Sequence, residues 1–497
     1  MPRISQQELE SYLWGAATLL RGTIDAGDYK QYIFPLLFLK RLSDVFDEEL
    51  AKAQEQFGAD SGEFVDFAEN HRFQIPDGAH WRDVRAHTAG IGPALQAAMR
   101  TIEVANPKLL YGIFGDGQWK NKQRLPDSLL TDLMEHFSGK VLSLENMPED
   151  EFGQGYEYLI KRFADDSGHT AQEFYTNRTV VHLMTELMQP RSGETVYDPT
   201  CGTGGMLLSC VFALKAKGEE YRSLKLFGQE LNLMTSSIAR MNLVLHGIDD
   251  FEIARGDTLA EPKFLEGDSV RKFDLVLANP PYSIKKWPRE KWQSDPFARN
   301  TLGTPPQGRA DYAFLQHILA SLRPGTGRCT ILFPHGVLFR DEEAAMRAKL
   351  VDSDVVECVL GLGPNLFYGS PMEACILVCR TKKPKERKGR VLFINAVNEV
   401  ARERAQSFLR ESHLARIVEA YRAFEARDGF AAVATLDAIR ANECSLNIPL
   451  YVAPAADTAS AGSLDDAVRD WRSGSKQLRS AMAELVTMLE GHKGEPA

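Results

Sequence analysis

The sequence predicts an α/β fold: a doubly wound, mostly parallel sheet, with an N-terminal helical domain before it and a C-terminal helical extension after it. Three observations predict this. From about residue 170, short apolar runs alternate with helical patterns, as they do where parallel strands are joined by crossover helices. Before that stretch, and again near the end of the chain, apolar residues recur at helical spacing instead. Finally, four successive strand ends carry glycines, acids or prolines, and strand ends are where such sheets bind ligands. The boundaries read as 1–155 for the helical domain, 165–400 for the α/β catalytic domain and 401–497 for a helical region with a linker at 453–462 and a partner-docking helix at 464–490.

In the first domain Leu9, Leu13, Ala16, Ala17 and Leu20 form one stripe, and Ile33, Leu36, Leu37, Leu42, Val45 and Phe46 a second. Gly22, Gly27 and Asp28 separate the two, and Pro35 fits only a first helical turn. No catalytic cluster stands out in this region, so the reading is a domain that packs on a neighbour or covers a substrate.

Composition narrows the function. A chain of 497 residues holds two or three domains, and its formal net charge of −10 argues against one that coats nucleic acid unaided. The seven cysteines include no CxxC pair, so neither a disulfide framework nor a metal site is expected; Cys375 and Cys379, on one face of a strand-like run, read as buried thiols. The apolar runs are too short to span a membrane, and the first residues lack the apolar core of a signal peptide. The expectation is a cytoplasmic protein without a membrane partner.

The first strand, residues 194–198, runs into Asp198-Pro199-Thr200-Cys201-Gly202-Thr203-Gly204-Gly205, with a helix from near Met206. Glycines there let a ligand approach the backbone, and the helix start presents free N–H groups. The second strand, 224–227, ends in Gly228-Gln229-Glu230, which puts an acid where a ribose would lie; the third, 251–254, is followed by Gly256-Asp257. The fourth, 273–278, ends in Asn279-Pro280-Pro281-Tyr282. Two prolines must stop the strand and stiffen the turn. They hold the Asn279 side-chain oxygen and the Pro280 carbonyl as two acceptors for one planar amino group, beside the aromatic face of Tyr282.

Residues 283–310 carry Lys285, Lys286, Arg289, Lys291, Arg299 and Arg309 with Trp287 and Trp292, which suggests a DNA-facing loop that orders on binding, or a solvated one. A helix at 311–322, a strand at 329–333, a helix at 341–350 and strands at 355–360 and 374–379 complete the sheet, and the charged run 382–388 reads as an exposed turn.

The glycine-rich loop and the Asn279 tetrapeptide, in this order and spacing, resemble the motifs of amino-group methyltransferases that use S-adenosylmethionine. Glu173-Phe174-Tyr175-Thr176-Asn177-Arg178 resembles the family stretch that lines the methionine end of that cofactor, with Asn177 where the family usually has proline. Together with 13–46, 308–314, 333–339 and 446–449, these motifs look like the modification subunit of a type I restriction-modification system, an adenine-specific DNA methyltransferase. The resemblance implies that Glu173 to Arg178, Asp198, Gly202, Thr203, Gly204, Gly205, Glu230 and Asp257 contact S-adenosylmethionine. It places Asn279, Pro280, Pro281 and Tyr282 on a flipped adenine in double-stranded DNA. It also implies a separate specificity subunit, a restriction subunit in the full complex, and two copies of this chain per methyltransferase. Two alternatives remain at this stage: a methyltransferase of protein glutamine or RNA guanine, and a non-catalytic DNA-clamping scaffold.

Near the end, Leu464, Val468, Trp471, Ser475, Leu478, Met482, Leu485 and Leu489 repeat in steps of four and three, a heptad seam behind a linker. The expected partner of that seam is the specificity subunit.

Overall fold

The computed structural model describes residues 4–58, 68–166, 176–366, 373–403 and 406–453, and beyond them 468, 469, 471, 472, 474–476, 479 and 482. They belong to two compact units, Met1–Val452 and Ala453–Ala497.

The larger unit begins with helices α1 (Gln6–Leu20), α2 (Lys30–Phe57), α3 (Trp81–Arg85), α4 (Ile91–Ala105), α5 (Asp127–Ser138) and α6 (Glu149–Asp166). Ser5 opens α1 with a capping box: its hydroxyl accepts from the Glu8 N–H, and the Glu8 carboxylate accepts from the Ser5 N–H. All five residues of the first predicted stripe are buried along α1. Pro35 departs from expectation. It is the sixth residue of α2 rather than part of its first turn, so the helix forgoes one backbone hydrogen bond while Ile33, Leu36 and Leu37 remain fully buried around it.

The sheet has nine strands: β1 (Thr195–Asp198), β2 (Lys225–Glu230), β3 (Phe251–Arg255), β4 (Leu275–Ala278), β5 (Arg328–Pro334), β6 (Val356–Leu362), β7 (Ala374–Arg380), β8 (Arg390–Ala396) and β9 (Ala431–Thr435). Their spatial order is β9-β8-β6-β7-β5-β4-β1-β2-β3. From β5 to β3 every pairing is parallel, while β7 runs antiparallel to both its neighbours and β9 antiparallel to β8. The strands predicted through 379 are all present. The sheet then continues into β8 and β9, so part of the region expected to be helical belongs to it.

Helices α7 (Arg178–Met188), α8 (Gly205–Lys217) and α9 (Leu233–Leu245) follow in turn. α9 joins the two halves of this unit, because Met234, Ile238, Met241, Val244 and Leu245 pack into the core of the N-terminal helices. Its Arg240 also donates to the carbonyls of Tyr111 and Leu109, both at 2.7 Å. Near the end of the unit, the Leu446 N–H donates to the Leu338 carbonyl at 2.8 Å, which packs the segment after β9 against the turn that follows β5.

Two loops carry buried groups that their composition hid. Residues 283–310 contain the short helix α10 (Arg289–Gln293) and bury Trp287, Trp292 and Arg299, while Lys285, Lys286 and Lys291 stay exposed. The charged run at 382–388 is only partly exposed, since the buried Lys383 ammonium donates to Asp354 at 2.6 Å and to the Arg390 carbonyl at 2.8 Å. All seven cysteines are free and buried. No helix among the described residues is long and apolar enough to cross a membrane.

In the second unit, Val468, Trp471 and Met482 are helical with exposed side chains. The seam residues Leu464, Leu478, Leu485 and Leu489 lie outside the described residues.

Candidate active site

Because β4, β1, β2 and β3 are consecutive neighbours running the same way, the residues at their C-terminal ends share one rim. That rim opens into a cavity of about 1370 Å³, whose lining includes Asp198, Glu230, Asp257 and Asn279. The topology thus brings together four of the residues predicted to carry binding and chemistry, one from each strand end.

The glycine-rich loop is held from three sides. The Cys201 N–H donates to the Gln229 carbonyl and the Gly202 N–H to the Glu230 carboxylate, both at 3.0 Å. The fully buried Asn242 of α9 donates to the Thr203 carbonyl at 3.0 Å, and the Thr258 hydroxyl donates to the Pro199 carbonyl at 2.5 Å. Gly204 adopts φ +80° as the residue capping α8, a conformation that strains any residue bearing a β-carbon.

Each acid has a distinct setting. Glu230 accepts from Gly202 through one oxygen and from the Asn232 N–H, at 2.9 Å, through the other. Asp257 uses one oxygen to cap the turn after it, accepting from Leu259 and Ala260. Asp198 is 2 % exposed, and its proton affinity is pushed up to about 8 by burial, against the Thr200 N–H that favours the anion and with the Glu230 charge adding to the rise.

At the β4 end, the Asn279 side-chain nitrogen donates to the Thr176 hydroxyl at 2.9 Å. Its oxygen is buried and has no hydrogen-bond partner among the described residues. An acceptor left so is costly unless something donates to it. The turn after Tyr282 is fixed separately: Ser283, at φ +48°, donates its N–H to the buried Asp311 at 2.9 Å, and Arg340 holds the other Asp311 oxygen at 2.9 Å. Asp311 starts helix α11 (Asp311–Ala320), and one turn on Phe314 lines the cavity. Burial raises the Tyr282 hydroxyl well above its ordinary range, so it stays protonated.

Asn177 supports rather than lines this end. Its oxygen accepts from the Thr179 N–H at 3.0 Å to cap α7, and its nitrogen donates to the Ser407 carbonyl at 3.0 Å. The side chain thereby ties this turn both to α7 and to the Ser407 backbone. Arg178 lines the cavity and pairs with Glu157 of α6. Glu173, Phe174 and Tyr175 lie outside the described residues.

Sequence reasoning missed an internal strut. Arg299, 1 % exposed, donates to both Asp295 oxygens, to the carbonyls of Thr258 and Leu259 at 2.8 Å each, and to His317 at 3.2 Å. Burial and the Arg299 charge hold His317 neutral, and its other nitrogen meets the Tyr197 hydroxyl at 3.1 Å. Residues 283–310 are thereby tied to the loop bearing Asp257. Reading arginines as surface charges hid this. Gln31, Asp116 and Gln118 of the N-terminal half also line the cavity, and no sequence signal marked them.

The sequence profile of N-6 DNA methylases matches residues 147–459, and that of the HsdM N-terminal domain matches residues 9–137. The chain belongs to the N-6 DNA methylase family. The methylase is 27% identical over 476 residues to the type I restriction enzyme MjaIX methylase subunit of Methanocaldococcus jannaschii, covering 90% of this chain and 84% of that one. It is 30% identical to the HindI methylase subunit of Haemophilus influenzae, covering 74% of this chain and 84% of that one. A solved type I methyltransferase subunit from Streptococcus thermophilus superposes with a TM-score of 0.78 at 30% identity, covering 90% of this chain and all of that one. The methylase is thus a type I modification subunit, an adenine-specific DNA methyltransferase that uses S-adenosylmethionine. The relatives do not favour a protein, RNA or purely scaffolding role.

The residues at the rim suit that cofactor. A glycine loop leads into the N-terminus of α8, acids follow β2 and β3, and Arg178, paired with Glu157, adds a cationic side chain to the lining.

Proposed function

We propose that the cavity holds S-adenosylmethionine along the ends of β1 to β3, and that Asn279, Pro280, Pro281 and Tyr282 hold the flipped adenine. The observation that carries this reading is the buried Asn279 oxygen at the end of β4, without a hydrogen-bond partner among the described residues and the acceptor an exocyclic amine requires. Glu230 receives the ribose hydroxyls, Asp257 the adenine amine, and Asp198 with the backbone of 202–205 the cationic methionine end, while Arg178 faces the methionine carboxylate. When bound, the cofactor supplies an electrophilic methyl group on sulfur.

The chain's own contribution is positional and electrostatic. Asn279 and the Pro280 carbonyl accept the two amine protons, which favours a tetrahedral nitrogen with a usable lone pair. Tyr282 stacks on the purine, and its turn, fixed by Asp311 and Arg340, keeps the ring in place. The lone pair so exposed is what the methyl group of bound S-adenosylmethionine would accept. The surplus amine proton leaves to water, since an amide is no base.

Sequence choice is assigned to a separate specificity subunit, with a restriction subunit in the full assembly and two copies of this chain per methyltransferase. Supporting this, the chain is acidic overall and exposes Val468, Trp471 and Met482 on its C-terminal helical segment. The assembly works on duplex DNA in the cytoplasm. The test is transfer of tritiated methyl from S-adenosylmethionine to DNA by the copurified complex. Label on adenine N6 supports the reading; label on protein or RNA, or none, overturns it.

A further inference from the structure

A carboxamide has two ends of nearly the same shape and opposite hydrogen-bonding sense. For Asn279 to receive the adenine amine, its oxygen must face the base; turned over, it would set one NH2 against another. The two prolines fix the backbone but not this choice, because the terminal torsion of Asn is broad and roughly two-fold. The choice falls to what the amide meets on its other side.

That neighbour is Thr176, whose hydroxyl accepts from the Asn279 nitrogen at 2.9 Å, the one polar contact of the Asn279 side chain among the described residues. A hydroxyl can also donate, so by itself it would tolerate either orientation. Its own proton breaks the tie. Thr176 lines the cavity two residues from Arg178, a cavity-lining cation that also pairs with Glu157, and no described protein group accepts from the Thr176 hydroxyl. An anion there draws the Thr176 proton toward itself. The hydroxyl oxygen can then only accept from Asn279, which turns the amide oxygen toward the base. Thr176 is itself held, since it precedes Asn177, which is fastened to α7 and to the Ser407 carbonyl.

We propose that Thr176 is a positioning residue rather than a simple cofactor contact: its hydroxyl takes the carboxylate of bound S-adenosylmethionine as acceptor and, in consequence, sets the Asn279 amide to receive the adenine amine. The inference rests on the reading of Asn279 as the amine acceptor. It makes recognition of the 6-amino group depend on the cofactor being in place.

The test uses the methyltransferase copurified with its specificity subunit and two duplexes, one with the target adenine and one with purine there, which lacks the 6-amino group. In the wild type, S-adenosylhomocysteine, which keeps the carboxylate, should raise the preference for adenine over purine about tenfold, the scale of one hydrogen bond. In Thr176→Val that preference should no longer respond to S-adenosylhomocysteine, and kcat should fall about tenfold. Thr176→Ser should restore both, and calorimetric affinity for S-adenosylhomocysteine should fall about tenfold or more in Thr176→Val, the scale of the hydrogen bond to the carboxylate that it loses, and return toward wild type in Thr176→Ser. A Val variant whose preference still responds overturns the proposal, as does one that weakens cofactor binding yet keeps the wild-type kcat at saturating cofactor, or a Ser variant that fails to rescue. If Asn279→Ala methylates normally, the fault lies instead in the reading of Asn279.

Discussion

Among single residues, the acids at the rim differ in what they can be asked to show. Glu230 accepts from two backbone N–H groups, which organises the glycine loop at the end of β2. Glu230→Ala should weaken S-adenosylmethionine by about 1.5 to 3 kcal/mol, the scale of a charge-assisted hydrogen bond, and unchanged calorimetric affinity would remove it from the site. Asp198 supplies a pH dependence. Its folded-state proton affinity is raised to about 8, so between the ordinary carboxylate range and that value the folded chain holds a proton the unfolded chain has lost. Its contribution to folding stability therefore falls as pH rises through that window. Cofactor binding has the opposite sign, because only the anion attracts the cationic end. Affinity should increase with pH up to about 8, with proton release on binding, and Asp198→Asn should flatten both curves. Residue identities at the rim were legible in the sequence because strand ends concentrate chemistry. The partners that orient them, Thr176 on Asn279 and Asp311 on Ser283, were not, since those contacts join residues 103 and 28 positions apart.

At the level of elements, the alternation of apolar runs was enough to place β1 to β7, because a buried parallel strand is apolar on both faces. Residues 283–310 were only partly legible for a physical reason: a basic, tryptophan-containing stretch looks the same whether all its charges face water or one of them is paired inside. Here Trp292 lies under the Arg299 guanidinium at 4.5 Å, and Asp295 neutralises the charge. Replacing Arg299 with Met would strand Asp295, whose side chain is 3 % exposed, and remove the donors to Thr258 and Leu259. A loss of about 3 to 5 kcal/mol in local stability is expected, followed by tryptophan fluorescence in urea. A change near zero would show that the loop is held by other contacts.

For the whole molecule, the sequence separated an N-terminal helical region from an α/β one, yet it did not reveal that α9 seats its apolar face in the N-terminal core or that Gln31, Asp116 and Gln118 reach the cavity. Such surfaces leave no periodic trace of their own. The C-terminal segment shows Val468, Trp471 and Met482 exposed, as a seam awaiting a partner would be. Truncation after Gly462 should leave a folded, cofactor-binding chain that no longer copurifies with the specificity subunit or methylates DNA; undiminished assembly would return that helix to the chain's own core. The claim on which the account turns is that Asn279 acts on the target amine. It is tested most directly by Asn279→Ala in the copurified complex, with calorimetric cofactor affinity and methyl transfer measured on the same preparation. Affinity within about twofold of wild type, with transfer down at least about a hundredfold, is the expected result. Comparable loss of both would contradict it and make Asn279 a structural residue.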